Sequence, residues 1–183
     1  MQLDAYSIGN YSPGAPLLRQ LAWFFLGSHL VRSRLFVSSA LKVAVLRFFG
    51  AKIGASVRIK PGVTVKFPWR LSVGDYSWIG ESVWIDNLAP VEIGSNCCIS
   101  QGVYFCTGNH DWSKTSFDLK VDSIVVNDKS WIAAKSCLGP GVCVEEGAVL
   151  TLGGVASEDL KAWTIYQGNP ATAIGKREIG SKP

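Results

Sequence analysis

Large apolar residues return every sixth position from Ile53 onward, a period that no α-helix produces. The series runs Ile53, Ile59, Val65, slips by two, and continues as Val73, Ile79, Ile85; it slips by two again to give Ile93, Ile99, Phe105. After one long interruption it resumes as Val126, Ile132, Leu138, Val144, Leu150 and closes at Ala156. All of these positions are apolar in a chain that is 48% apolar, so composition alone does not account for the column. Two further columns keep the same phase. Small or β-branched residues stand four places after the bulky one (Val57, Val63, Ser77, Val83, Cys97, Val103, Ser130, Ser136, Val142, Ala148), with Trp69 as the exception. Gly or another small or polar residue often follows it directly, as at Gly54, Gly74, Gly80, Asp86, Gly94, Ser100, Ala133 and Gly139. Repeats of this kind predict an all-β solenoid in which each hexad supplies one short strand and one corner. Three hexads make one triangular coil: the bulky residue points inward, the small one fits the crowded corner, and Gly allows the positive φ of a turn. A set of ordinary antiparallel hairpins would need variable turn spacings instead.

The totals narrow the class. A chain of 183 residues has room for one domain with its own core and a short accessory segment. With 17% charged residues it is globular rather than disordered. A net charge of +4 is too small for a polyanion-binding protein, so nucleic acid is excluded as an expected partner. The five cysteines, Cys97, Cys98, Cys106, Cys137 and Cys143, form no CxxC pair. Their odd number fits no disulfide framework, and they read as small buried apolar residues of a reducing compartment. The N-terminus carries Asp4 and no basic run ahead of an apolar one, so no secretory signal is evident and a cytoplasmic protein is expected.

Three regions follow: residues 1–50 as a helical N-terminal extension, 51–177 as the β-helix with a loop at 106–125, and 178–183 as a tail. In the extension, Leu17–Leu26 and Leu35–Phe49 read as two helices separated near Gly27 and Ser28. The longest stretch without a formal charge, Gln20 to Val31, is too short for the roughly 20 residues that span a bilayer. Two readings stay open for 17–49. The helices pack against the prism or a neighbouring subunit, or they lie in the inner face of a membrane with Arg and Lys toward the headgroups, making the protein peripheral.

The single interruption reads Cys106-Thr107-Gly108-Asn109-His110-Asp111-Trp112 and then runs through a polar stretch to Asp122. A long loop leaving a rigid scaffold is where function concentrates, and this one carries His110, one of only two histidines. The run from Trp84 through Asp86, Asn87, Pro90 and Gly94, then Ile99-Ser100-Gln101-Gly102, then Thr107 to Trp112, resembles the colanic acid biosynthesis acetyltransferases. That family belongs to the hexapeptide-repeat acyltransferases and is related to the galactoside and maltose acetyltransferases. The resemblance covers roughly residues 53–177. It implies a left-handed prism, although parallel crossovers are right-handed in about 98% of cases. It also implies a homotrimer with sites between subunits, acetyl-CoA as acyl donor, no metal, and a sugar or glycan precursor as acceptor.

Within that resemblance His110 is the expected general base. A neutral hydroxyl attacks a thioester poorly unless its proton is removed, and imidazole suits that task at cellular pH. Asp86, Asn87 and Asp111 are alternative partners for the second ring nitrogen, with Asp86 and Asn87 grouped with His110 as catalytic. Asn109, Asp111, Trp112 and Trp131 are the candidate substrate contacts. Trp131 matches a tryptophan that lines the acyl site, or it is an exposed wedge between subunits. Ala133, Ala134, Leu152, Gly153, Ser157, Gly168, Asn169, Pro170 and Arg177 join Trp131 as candidate cofactor contacts, since small residues let an extended pantetheine arm lie against backbone. Two positions depart from the family. Ile79 stands where galactoside-type enzymes have an asparagine, and Ser157-Glu158 replaces a Thr-Lys pair, leaving Lys135, Lys161, Lys176 or Arg177 to meet the phosphates. Other readings are a zinc hydratase, for which two histidines are too few to supply the usual three ligands, a non-catalytic trimeric scaffold at a membrane surface, and an acetyltransferase for a small non-glycan acceptor.

Overall fold

The computed structural model describes residues 1–180; the last three residues of the expected tail lie outside them. From residue 52 the chain winds as a three-sided parallel prism. Its first coil is β1 (Lys52–Ile53), β2 (Arg58–Ile59) and β3 (Thr64–Val65). The second is β4 (Leu71–Val73), β5 (Trp78–Ile79) and β6 (Trp84–Asp86), and the third is β7 (Val91–Ile93), β8 (Cys98–Ile99) and β9 (Tyr104–Cys106). A hairpin, β10 (Gly108–His110) and β11 (Leu119–Val121), leaves the prism before coil four, which is β12 (Ile124–Val126), β13 (Trp131–Ile132) and β14 (Cys137–Leu138). Coil five is β15 (Cys143–Val144), β16 (Val149–Leu150) and β17 (Val155–Ala156). An incomplete sixth coil bridges Leu160 to Val144 and adds β18 (Thr164–Gln167), against which β19 (Thr172–Lys176) returns antiparallel.

Each side of the prism is one sheet: β1-β4-β7-β12-β15, β19-β18-β16-β13-β8-β5-β2, and β17-β14-β9-β6-β3, here the first, second and third faces. On the first face Lys52 pairs with Ser72, Ser72 with Glu92, Glu92 with Val125 and Val125 with Cys143. The two slips and the long loop are therefore all insertions at one corner, between the third and first faces. A one-turn helix, Pro68–Arg70, fills the first of them.

Every residue of the apolar six-residue column is buried, from Ile53 at 7% exposure to Phe105 at 0%. Removing such side chains from water contributes about 1.5–3 kcal/mol each. The glycine column has a different cause from the one expected. Gly54, Gly74, Gly80 and Gly94 are not at positive φ. They are glycine because a Cβ on Gly80 would sit 2.6 Å from the backbone of Ser100 and Gln101 in the next coil, and one on Gly94 2.3 Å from Asp128 Oδ1. Positive φ falls two places later, at Ser56, Gly62, Tyr76, Ser82, Asn96, Gly102, Lys129, Lys135, Gly141, Gly147 and Gly153. Cysteine burial is also corrected: Cys97 is buried in the small-residue column, whereas the other four sit half-buried on outward strand positions.

The helical extension closes the open end of the first coil. α1 (Leu17–Ala22), a π-helical turn (Trp23–Gly27) and α2 (Ser28–Arg32) run without a break, so the expected separation at Gly27 is not there. A Cβ on Gly27 would lie 2.4 Å from the Trp23 ring and 2.7 Å from Phe49, so glycine serves close packing instead. The break comes after Arg32, and α3 (Ser39–Phe48) starts behind Ser38, whose hydroxyl accepts from Leu41 N. An exposed first coil would present three unpaired strand edges. Each is met by one side chain from the extension. Arg47 donates to the carbonyls of Ile53 and Gly54, the Ser39 hydroxyl bonds both N–H and C=O of Ile59, and Trp23 Nε1 donates to Val65 O at 3.2 Å. Packing on the prism thus accounts for the inner side of the extension.

Candidate active site

The hairpin pairs Gly108 with Val121, Asn109 with Lys120 and His110 with Leu119. Beside it runs the N-terminal arm, held by Gln2 N to Thr115 O and by Leu119 N to Ser7 O. The His110 ring lies flat on Phe117, with centroids 4.2 Å apart and planes 6° apart, and Tyr6 approaches it at 5.8 Å. His110 Nδ1 is 3.0 Å from the Phe117 carbonyl oxygen. A carbonyl only accepts, so this bond places the ring hydrogen on Nδ1 and leaves the lone pair on Nε2. Phe117 holds that carbonyl in place from a backbone at φ +51°, a strained conformation for an aromatic residue.

None of the three expected partners occupies Nδ1. Asp86 pairs with Lys66 Nζ at 2.9 Å and accepts from the Tyr104 hydroxyl at 3.3 Å. Burial first, then Cys106 and Asp86, push the Tyr104 phenol above its usual range. Asn87 is fully buried and ties two coils together, accepting from Phe67 N at 2.9 Å and donating to Phe67 O at 2.7 Å. Asp111 braces the hairpin turn: it accepts from the Ser113 hydroxyl and pairs with Lys120 at 3.2 Å. The Ser113 hydrogen bond, then Lys120, hold its carboxyl below the usual carboxylate range. The reason is local. Asp86 is engaged by Lys66 and Tyr104, Asn87 by the Phe67 backbone, and Asp111 by Ser113 and Lys120 within the hairpin turn, while the Phe117 carbonyl takes Nδ1. Asn109 accepts from His110 N at 2.8 Å through its own side chain, and Trp112 is exposed.

The cofactor candidates fall at different corners. Ala134 and Gly153 stack at the corner between the second and third faces, joined by Gly153 N to Ala134 O, and Gly168 follows through Val155 N to Gly168 O. Ala133 and Leu152 share that corner; Asn169 and Pro170 form the turn after β18. Trp131, exposed on β13, donates from Nε1 to Ser100 Oγ at 3.0 Å. A groove of about 420 Å³ lies along the same edge, lined by Lys60, Trp78, Glu81, Ser100 and Gln101. Ser157 follows β17 at the hairpin's corner instead. Arg177 lies at the remaining corner, its guanidinium donating to the carbonyls of Lys129 and Gly147. Of the four cations considered for phosphates, Lys161 pairs with Glu145 and Lys176 bonds Thr164. Only the Lys135 side chain has no partner among the described residues, and it reaches over Gly102 at the small-residue corner. No three described His, Cys, Asp or Glu side chains are placed to share a metal ion.

Sequence reading missed Phe117 and the N-terminal arm. Phe117 is the only aromatic residue between Trp112 and Trp131, a signal that was present; nothing local foretells that Tyr6 crosses to His110.

The fold and this loop define a hexapeptide-repeat acyltransferase scaffold, a left-handed parallel β-helix. A hexapeptide-repeat acetyltransferase of Vibrio cholerae, solved with acetyl coenzyme A, superposes with a TM-score of 0.79 at 20% identity, over 88% of each chain. A maltose O-acetyltransferase of Clostridium difficile gives 0.75 at 19% identity, over 89% of each. No protein-family model matches the chain. In sequence it is 33% identical to the protein named colanic acid biosynthesis acetyltransferase WcaF of Escherichia coli K12, over 96% of both chains. The chain belongs to the colanic acid biosynthesis acetyltransferase family.

Proposed function

We propose that this protein transfers acetyl from acetyl-CoA directly to a hydroxyl of a sugar or polysaccharide precursor, with His110 as general base. The observation that carries this is the carbonyl-bound Nδ1, which leaves Nε2 free to accept a proton. In the step, the acceptor oxygen attacks the thioester carbonyl carbon while its proton passes to Nε2. The tetrahedral intermediate collapses, the C–S bond breaks, and the thiolate leaves as CoA thiol after taking the proton from the imidazolium. Acetyl-CoA as donor is supported by the Vibrio cholerae relative solved with it, and a sugar acceptor by the names of the Escherichia coli and Clostridium difficile relatives.

The working unit is a homotrimer. His110 leaves from the corner between the third and first faces, whereas Ala134, Gly153 and Gly168 belong to the opposite edge of the third face and Trp131 to the adjoining second face. One copy therefore offers the base and another the groove for pantetheine, with Lys135 toward the nucleotide phosphates. The test is CoA-thiol release with acetyl-CoA and glycan precursors. His110→Ala is expected to lower kcat by about 10²–10⁴ with CoA binding retained, and a variant that keeps full turnover removes His110 from the base role.

A further inference from the structure

The outer side of the N-terminal cap is unpaired and apolar. Trp23, Gly27 and Val31 face the prism, four residues apart, so Leu18 and Phe25, one heptad apart, lie on the opposite side of the same helix. On α3 the buried residues are Lys42, Val43 and Leu46, and Leu41 and Phe48 face away. Leu18 is 79% exposed, Phe48 84%, and Leu35 in the connection between the helices 92%. Leu18 and Phe48 border one shallow pocket with Arg19, so the two helices present a continuous surface.

Charge says what that surface meets. Residues 5–74 hold ten Lys and Arg and not one Asp or Glu, whereas the rest of the chain holds eight Lys and Arg against 14 acidic residues. Arg19, Arg32 and Arg34 are exposed on the cap and make no ion pair among the described residues. A second copy docked by this face would set two such cationic caps against each other. An anionic bilayer instead takes up the apolar side chains and pairs the guanidinium groups with its headgroups. No helix among the described residues is long and apolar enough to cross a membrane, so this contact lies in the surface.

We infer that the outer face of the cap, centred on Leu18, Phe25, Phe48 and the three arginines, binds the surface of an anionic phospholipid bilayer. The inference stands apart from acetyl transfer and is tested without it. Full-length protein is floated with vesicles of phosphatidylcholine alone or mixed with phosphatidylglycerol, at low and high salt, and its mass in solution is measured by sedimentation. The expected result is flotation with the phosphatidylglycerol vesicles, weakened by salt. Replacing Arg19, Arg32 and Arg34 together by glutamine lowers the vesicle affinity on the order of a hundredfold. The triple change Leu18→Glu, Phe25→Glu and Phe48→Glu abolishes flotation, with the mass in solution unaltered. Absence of flotation overturns the inference, as does binding that ignores both sets of changes. A glutamate variant of altered mass also overturns it, because the face is then a subunit interface.

Discussion

Replacing Asp86 or Asp111 by asparagine separates two ways of orienting the His110 ring. Where a carboxylate holds the second nitrogen of a catalytic histidine, its change to asparagine selects the wrong tautomer and costs about 10⁴ in kcat. Here Nδ1 faces the Phe117 carbonyl at 3.0 Å, and both carboxylates are engaged elsewhere, Asp86 with Lys66 and Asp111 with Lys120 and Ser113. Each substitution then removes a partly exposed ion pair, and kcat is expected to fall less than about fivefold. Phe117→Ala keeps the carbonyl but deletes the stacked ring. An aromatic pair is worth about 0.5–1.5 kcal/mol beyond its area, so the loss of positioning is expected to lower kcat about two- to tenfold at 1.36 kcal/mol per decade. The assay is CoA-thiol release across pH. The acid limb of kcat/KM reports the base and is expected to persist in both asparagine variants. A loss of a thousandfold or more in either one, with that limb abolished, refutes the carbonyl-bound arrangement.

Two predictions concern the scaffold. Gly80→Ala forces a methyl to 2.6 Å from the next coil's backbone and is expected to cost about 3 kcal/mol, whereas Gly153→Ala, at φ +68° with open space, costs about 1 kcal/mol; denaturant unfolding ranks them, and equal costs refute the role given to the close glycine. Lys42 is buried with its ammonium on the carbonyls of Val31 and Ser33, and burial lowers its pKa from 10.5. Below 10.5 and down to the lowered value the unfolded chain binds the proton and the folded chain does not, so stability rises with pH through that window. Lys42→Met is expected to flatten that slope in unfolding measured across alkaline pH.

The prism was legible because its period is enforced by one physical demand, that a residue facing the axis be apolar and the next corner be narrow. Ile53 to Ala156 declare that column without help from any other part of the chain. The hairpin was legible as a break in it, and His110 as the residue with chemistry in the break. What the sequence hid depends on contacts between segments far apart. Phe67 is 20 residues from Asn87, and the Asn87 amide that looked catalytic is satisfied there. Tyr6 reaches His110 from the far end of the chain. Gly27 looked like a helix break because a glycine required by a neighbouring ring reads the same as one required by a turn.

The corners also bear on assembly. His110 and the Ala134-Gly153-Gly168 column bracket the third face from its two edges, so joining them means that one edge of a copy meets the other edge of the next. Such a contact is heterologous: it closes into a ring or runs on as a filament. The faces of a three-sided prism are related by about a third of a turn, and a head-to-tail contact with that rotation closes at three copies. Closure with prism axes side by side also turns all three N-terminal caps the same way, since each caps the first coil. Three cationic, apolar caps in one plane multiply a weak surface contact into a strong one. The trimer proposed for the chemistry and the bilayer contact inferred for the cap therefore reinforce each other, although either can be refuted alone.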